Sequence, residues 1–361
     1  MTIDSLINID TKNILLHKPE LSDYLKMREN KLITIEIDLT NSCNQRCPQC
    51  TFGNYHTGLS LDRTVLDNLI KTLPMTGVKG MIITGGGEPC IHKELGYFVK
   101  SVSKQGIDIT LTTNGQFVDR HFDDLLYGLK RIRFSIDAGT PISYKHTHGM
   151  EERDFDKVIN NLKRLTTEKK KKGLSIDIGV SFMICETNAS EVMSAVEFYR
   201  DLGVNFLHFK PMQLWDKDKN IYYHQHYPVV SQVISDLKAY NDSDFRLSIS
   251  REKFLRQDSD RLKYKKCHGA FFDMIIGADG YVYTCCHFKY NPKFRYGDIA
   301  REGLNDIRSR VLADVQVECF HDCKMDAINQ LIEYVINNPD QLLDRCKSIE
   351  KDELPLGSKW L

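Results

Sequence analysis

Six short apolar runs alternate with segments of helical period through the first two hundred residues, and few architectures accommodate that alternation. The runs cover 33–39, 80–84, 108–113, 131–136, 175–184 and 205–209. They are rich in Ile, Val, Leu, Phe and Thr, which suit a pleated, half-buried surface. Between them, 62–73, 93–105, 120–129, 154–171 and 189–202 carry apolar residues three and four apart, as one buried helix face requires. Strands joined through helices are parallel, with the helices packed outside the sheet. Six such units rather than eight predict an α/β fold: a partial, TIM-like (β/α)6 barrel whose functional residues sit at the C-terminal ends of the strands.

Directly after the first run comes Cys43-Asn-Gln-Arg-Cys47-Pro-Gln-Cys50. Three thiolates on one tight loop can hold three irons of a cubane cluster and leave the fourth iron without a protein ligand. A structural zinc wants four closed ligands, usually in two pairs, and no nearby His or Cys completes such a set. The second run ends in Gly85-Gly86-Gly87-Glu88-Pro89. Glycines at a strand end let a ligand approach the backbone, and a carboxylate there can accept hydrogen bonds from an ammonium group. The bland reading of the same residues is a strand-to-helix turn that needs a positive φ.

The loop and the turn together resemble the radical S-adenosylmethionine (SAM) superfamily, in which a three-cysteine loop follows the first barrel strand and a Gly-Gly-Glu-Pro turn follows the second. The resemblance implies that Cys43, Cys47 and Cys50 hold a SAM-binding [4Fe–4S] cluster. It also implies that Gly86, Gly87, Glu88 and Pro89 form the turn that holds the amino group of SAM. The residue before the third cysteine is often aromatic or large and apolar in the superfamily; here it is Gln49. The third and fourth runs close with Thr112-Thr113-Asn114-Gly115 and Ser135-Ile136-Asp137-Ala138-Gly139. Polar side chains on that rim reach a ribose or a carboxylate, and the resemblance makes Ser135, Asp137 and Asn114 candidate SAM contacts. Capping of the next helix is the competing reading. Ser181, Asn188 and Lys210 are further rim positions.

The last third changes character. Around 216–227 the chain is charged and aromatic without period, and 229–241 reads as a helix. Then come Cys267, twelve residues, Gly280, four residues and Cys285, with an Ala278-Asp279-Gly280 turn between two strand-like stretches. A hairpin brings its flanks together, so Cys267 and Cys285 can share one metal centre. Cys319-Phe-His-Asp-Cys323 opens a helical stretch over 325–336, and cysteines four apart face the same way. This set resembles the twitch domain, the shortened form of the SPASM domain that extends some radical SAM enzymes. It implies an auxiliary [4Fe–4S] cluster on Cys267, Cys285, Cys319 and Cys323. Cys286 and Cys346 are alternates, while Cys90 and Cys185 read as buried or incidental. The expected organisation is an N-terminal extension (1–30), the barrel (31–215), a linker with a helical segment (216–260) and a small α+β auxiliary iron–sulfur domain (261–361).

Bulk properties narrow the function classes. At 361 residues the chain holds a barrel-sized domain plus an appendage. A net charge of zero gives no electrostatic case for nucleic acid. No run of apolar residues is long enough for a membrane span, and the start, Met-Thr-Ile-Asp-Ser, lacks a basic stretch ahead of an apolar core. The expectation is a soluble cytoplasmic protein whose eleven cysteines are metal ligands or buried thiols.

The resemblance implies reductive cleavage of SAM, with the electron delivered by a donor such as flavodoxin or ferredoxin, to a 5′-deoxyadenosyl radical that takes hydrogen from the substrate. The twitch extension is similar to that of an aminocyclitol dehydrogenase, and the 42 residues ahead of Cys43 are too few for the leader-recognition domain of many peptide-modifying relatives. The favoured substrate is therefore a sugar, a nucleotide sugar or an aminocyclitol, with an alcohol oxidised; epimerisation, elimination and decarboxylation remain compatible. Oxidation needs a base near the radical carbon, and His208, Lys210 and Arg153 are candidates, with His146 and His148 behind them. The alternatives are a maturase acting on a peptide side chain and a non-enzymatic iron–sulfur or zinc protein.

Overall fold

The computed structural model describes residues 14, 17–25, 32–212, 240–250, 254, 264–313 and 323–338. Cys319, Cys346 and most of the helix expected at 229–241 lie outside the described residues. Seven strands follow one another as β1 (Thr34–Asp38), β2 (Gly80–Thr84), β3 (Asp108–Thr113), β4 (Arg131–Ser135), β5 (Asp177–Ile184), β6 (Phe206–Pro211) and β7 (Arg246–Ile249). They pair in parallel in that order. Helices α1 (Lys18–Leu25), α2 (Arg63–Thr72), α3 (Leu95–Ser103), α4 (Phe122–Gly128), α5 (Pro141–His148), α6 (Glu152–Lys172) and α7 (Val192–Asp201) precede or connect them. The result is a partial α/β barrel.

The C-terminal segment continues the same sheet. β8 (Asp273–Ile276) pairs in parallel with the free edge of β1, and β9 (Tyr281–Tyr283) and β10 (Arg295–Asp298) follow antiparallel. The order is β10-β9-β8-β1-β2-β3-β4-β5-β6-β7. The expected hairpin forms, and its first strand makes β1 a central strand with all five residues buried. Helices α8 (Leu304–Ala313) and α9 (Asp326–Asn337) complete the described chain.

Helix α5 lacks an apolar stripe, since its sequence Pro-Ile-Ser-Tyr-Lys-His-Thr-His offers only Ile142 and Tyr144 as large apolar residues. Its caps make it instead. The Thr140 and Ser143 side chains form a reciprocal capping box, Pro141 opens the first turn, and Gly149 closes the helix at φ 62°.

The two faces of the sheet differ sharply, as the period of two requires. Ile35, Ile83, Leu111, Phe134, Val180 and Phe209 point outward into one core shared with the helices. The alternate positions form the inner face, where Glu36, Asp38, Thr112, Arg133, Ser181 and His208 are polar and Ile82 and Phe206 are apolar exceptions. Among the described residues no helix is long and apolar enough to cross a membrane.

Candidate active site

The three-cysteine loop leaves the C-terminal end of β1 and is held from two sides. On one side is the turn after β2: the Glu88 amide donates to the Ser42 carbonyl at 2.8 Å. A Cβ on Gly87 would lie 2.0 Å from that same oxygen, so only glycine permits the contact. On the other side is the end of α5. Gln49 Nε2 donates to the Thr147 carbonyl (2.6 Å) and Gln45 Nε2 to the Tyr144 hydroxyl (2.7 Å). A Cβ on Gly149 would stand 2.6 Å from the Arg46 carbonyl. Gln49 thus fastens the loop to α5.

The His148 ring stacks on Tyr144 with centroids 4.5 Å apart. Its Nε2 donates to the Ile136 carbonyl at 2.6 Å, and its Nδ1 lies 3.3 Å from Cys47 Sγ. A residue considered as a base therefore serves the cysteine loop and is buried. His146 is exposed. The composition of the loop gave no hint of this histidine; the capping-box sequence at Thr140, which fixes where α5 ends, is the signal that could have found it.

Cys43 Sγ accepts from the Gln45 amide at 3.5 Å. Burial pushes the Cys43 thiol up to about 11 and raises Cys47 and Cys50 as well. A cationic metal reverses that preference and takes the thiolates. Among the described residues these cysteines form no disulfide. Three thiols on one braced loop fit three ligands of a cubane with one open iron, and the neighbouring His148 Nδ1 is engaged by Gln45 and Cys47.

Glu88 is buried and its carboxylate is occupied by the protein. It accepts from Thr113 Oγ1 (2.6 Å), the Cys90 amide (2.8 Å) and the Asn114 amide (2.7 Å). Its side chain therefore fastens the turn after β2 to the end of β3, and Pro89 sits buried in the short turn that follows. Asn114 donates to Asn44 Oδ1 at 2.9 Å, which carries the end of β3 to the cysteine loop. Asp137 adopts φ 49°, an uncommon conformation for a side-chain-bearing residue. It is held by accepting the Met183 amide on Oδ1 (2.6 Å), while its carbonyl accepts from Asn188 Nδ2 (2.8 Å). Such conformations persist where surroundings over-determine them. Ser135 is half-buried on the inner face beside Ser181 on β5.

His208 and Lys210 both lie on the inner face of β6. The His208 nitrogens contact Ser248 Oγ (2.8 Å) and Ser250 Oγ (3.0 Å). Arg153 is exposed on the first turn of α6, in the outer helical layer, and joins neither of them. Cys90 Sγ is buried against Thr113 Oγ1 at 3.3 Å, and Cys185 Sγ lies 3.2 Å from Thr187 Oγ1.

The distal cysteines come together from separate segments. The ligand atoms of Cys285, Cys286 and His287 lie within 4.8 Å of one another. Burial and the nearby charge of Cys323 push Cys267 up to about 11. The Cys285–Cys286 hydrogen bond, together with burial and the Cys323 charge, raises Cys285. Cys323 Sγ accepts from the Met325 amide (3.3 Å) and Cys267 Sγ from Asn329 Nδ2 (3.8 Å). A concentrated thiol set of this kind fits an iron–sulfur centre, and Cys286 stands within it.

A buried charge network joins the two cysteine sites. Lys289 Nζ contacts Asp38 (2.9 Å) and Glu36 (3.5 Å), and Lys324 Nζ contacts Glu36 and Asp273 (2.8 Å each). The Tyr290 hydroxyl donates to Asp38 Oδ2 at 2.7 Å and lies where a Cβ on Gly86 would meet it, at 2.4 Å. Burial would raise Glu36, but the two lysines outweigh it and hold the carboxyl at about 2. No motif in the sequence marks Lys289, Tyr290 or Lys324.

Residues 37–198 match the radical SAM superfamily, and residues 267–328 match the SPASM iron–sulfur cluster-binding domain. The chain belongs to the radical SAM superfamily. It is a radical SAM enzyme with a C-terminal SPASM-type domain, and its cofactors are SAM and iron–sulfur clusters. A GTP 3′,8-cyclase of Nautilia profundicola is 25% identical over 323 residues, covering 80% of this chain and 90% of that protein. A probable GTP 3′,8-cyclase of Methanocaldococcus jannaschii is 26% identical over 211 residues, 55% of this chain and 65% of that one. The radical SAM chain spans less than two thirds of the length of several cyclases that it matches. The Streptococcus suis SuiB structure bound to S-adenosylmethionine superposes with a TM-score of 0.61 at 14% identity, covering 79% of this chain and 66% of SuiB, and shares the fold.

Proposed function

We propose that this radical SAM enzyme takes hydrogen from a small polar substrate held against the inner face of the barrel. The observation that carries the reading is the contrast between the two faces of β4–β7. The outer face is apolar, while the inner face presents Arg133, Ser135, Ser181, His208, Lys210 and Ser248. Such a lining suits a sugar, a nucleotide or an aminocyclitol, whose hydroxyl and charged groups need partners when desolvated. GTP, the substrate in the relatives' names, falls within this class.

In this reading Cys43, Cys47 and Cys50 hold the SAM-binding cluster. When bound, the cluster and SAM supply a 5′-deoxyadenosyl radical. Gly86 and Gly87 bring backbone close to the SAM amino group, Glu88 keeps their turn in shape, and Ser135, Asp137 and Asn114 serve the rim where the ribose and carboxylate lie. His148 and Gln49 keep the loop seated. Cys267, Cys285 and Cys323, with Cys286 or Cys319, hold the auxiliary centre.

Between the two inner-face bases, His208 is the better placed to take a substrate proton, because Ser248 and Ser250 fix its ring. That arrangement suits an alcohol oxidation, and flavodoxin or ferredoxin would supply the reducing electron. The test is to incubate the anaerobically reconstituted protein with dithionite, SAM and deuterated sugars, nucleotides or aminocyclitols. Deuterium in 5′-deoxyadenosine from one of them is expected. Transfer from a peptide alone would overturn the reading.

A further inference from the structure

We propose that Arg133 anchors an anionic group of the substrate in the barrel lumen, with the Ser181 hydroxyl one register step above it completing the seat. The proposal rests on the reading that the substrate occupies this inner face, and it adds the charge of the group that binds there.

Arg133 lies mid-way along β4, in register with Thr112 of β3 and Gly179 of β5. Its one hydrogen bond among the described residues runs from Nη2 to Thr112 Oγ1 at 3.0 Å. Its Nε is buried and has no partner. No carboxylate among the described residues forms an ion pair with it. The contrast with Arg131, one turn of the pleat below, is direct. Arg131 pairs with Asp177 through Nε (2.8 Å) and Nη2 (2.6 Å), and Arg246 takes the other oxygen of the same carboxylate (2.5 Å). Both guanidinium groups at the floor of the barrel therefore touch a carboxylate, whereas the layer above it carries a cation with no counter-charge in contact.

Ser181 repeats the pattern. It is fully buried, and its Oγ also lacks a partner. It sits opposite Ser135 and beside His208, one step nearer the C-terminal ends of the strands than Arg133. A guanidinium with free donors and a buried hydroxyl on the next strand offer the donor set that a phosphate or carboxylate takes. Each such group left unpaired destabilises the free protein. A ligand oxyanion satisfies both at once.

The same chemistry could come from the carboxylate of SAM, and the experiment separates the two sources. The probes are inorganic phosphate and GTP, added at constant ionic strength to the reconstituted holoprotein, with melting temperature as the readout. Both are expected to raise the melting temperature relative to chloride. Arg133→Met should weaken the apparent affinity roughly tenfold or more and Ser181→Ala by a smaller factor, while Arg133→Lys retains part of it. Without probe, Arg133→Met should melt no lower than the native protein, because it removes a cation with no carboxylate in contact and a buried, unpaired Nε.

The SAM arm uses the change that SAM makes in the electron paramagnetic resonance spectrum of the reduced cluster. That change should survive in Arg133→Met at unchanged iron content, and its loss would assign Arg133 to SAM and overturn the proposal. Equal stabilisation of native and Arg133→Met proteins, no stabilisation of the native protein by either probe, or a lower melting point of the variant would overturn it too. These readouts need no turnover, so failure of every small compound to donate deuterium would strike the substrate reading separately.

Discussion

The two cysteine sites are built in opposite ways. Cys43, Cys47 and Cys50 lie on one loop of eight residues, seated between the turn after β2 and the end of α5 by backbone and side-chain hydrogen bonds that need no metal. Cys267, Cys285 and Cys323 come from three segments, and what holds this part of the chain to β1 is the pairing of β8 together with a set of buried charges. The three ligands of the first site are thus contiguous in sequence and braced by the barrel, whereas those of the second come from distant parts of the chain. Loss of a ligand from the first should cost chemistry, and loss from the second should cost stability.

The largest expected effect tests that contrast directly. Cys47→Ala should abolish 5′-deoxyadenosine formation and remove about four irons per chain while leaving the melting temperature close to native. Cys323→Ala should also remove about four irons, yet lower the melting temperature by several degrees and leave some SAM cleavage in place. The same stability loss in both variants would erase the distinction.

Next in size is the charge network. Lys289→Met leaves Asp38 and Glu36 buried with fewer partners, and removing one member of such a group costs about 3–5 kcal/mol by urea denaturation. A change within the scatter of surface substitutions would show that the lysine is dispensable to the junction.

Acid should weaken the same junction. Glu36 has its folded-state pKa lowered, to about 2 from 4.5, so its contribution is present above pH 4.5 and is lost as pH falls toward 2. The shift corresponds to a loss on the order of 3 kcal/mol across that window. Glu36→Gln should flatten that part of the stability profile, and a profile unchanged by the substitution would argue against it.

The smallest effect concerns the first site. Gln49→Leu removes the hydrogen bond to the Thr147 carbonyl and should cost about 1 kcal/mol, with iron content retained. A large loss of iron would show that the loop depends on α5 more than its other contacts suggest.

Much of the barrel was legible because its signals are local. The strands from β1 to β6 and their intervening helices fall within a few residues of the runs read from periodicity, and the loop that names the superfamily is contiguous. The parts that were not legible are set by tertiary partners. Helix α5 is specified by its caps rather than by an apolar stripe, so its delivery of His148 to Cys47 is invisible to a period search. The pairing of β8 with β1 joins residues on opposite sides of the barrel sequence, and only packing decides it. Glu36 and Asp38 alternate with isoleucines in a buried strand, a pattern that fixes which face is polar but not that Lys289 and Lys324 meet them there.

The position of β1 between β2 and β8 has a consequence for how the protein is made. Its second edge finds its partner only when roughly 240 further residues have left the ribosome, on the order of ten to fifty seconds later at ordinary synthesis rates. Throughout that interval a nascent, apolar strand next to three reactive thiols lacks a neighbour on one side. Cells that depend on this enzyme should therefore gain from shielding of the growing chain, and cluster delivery should proceed best once the C-terminal hairpin has arrived.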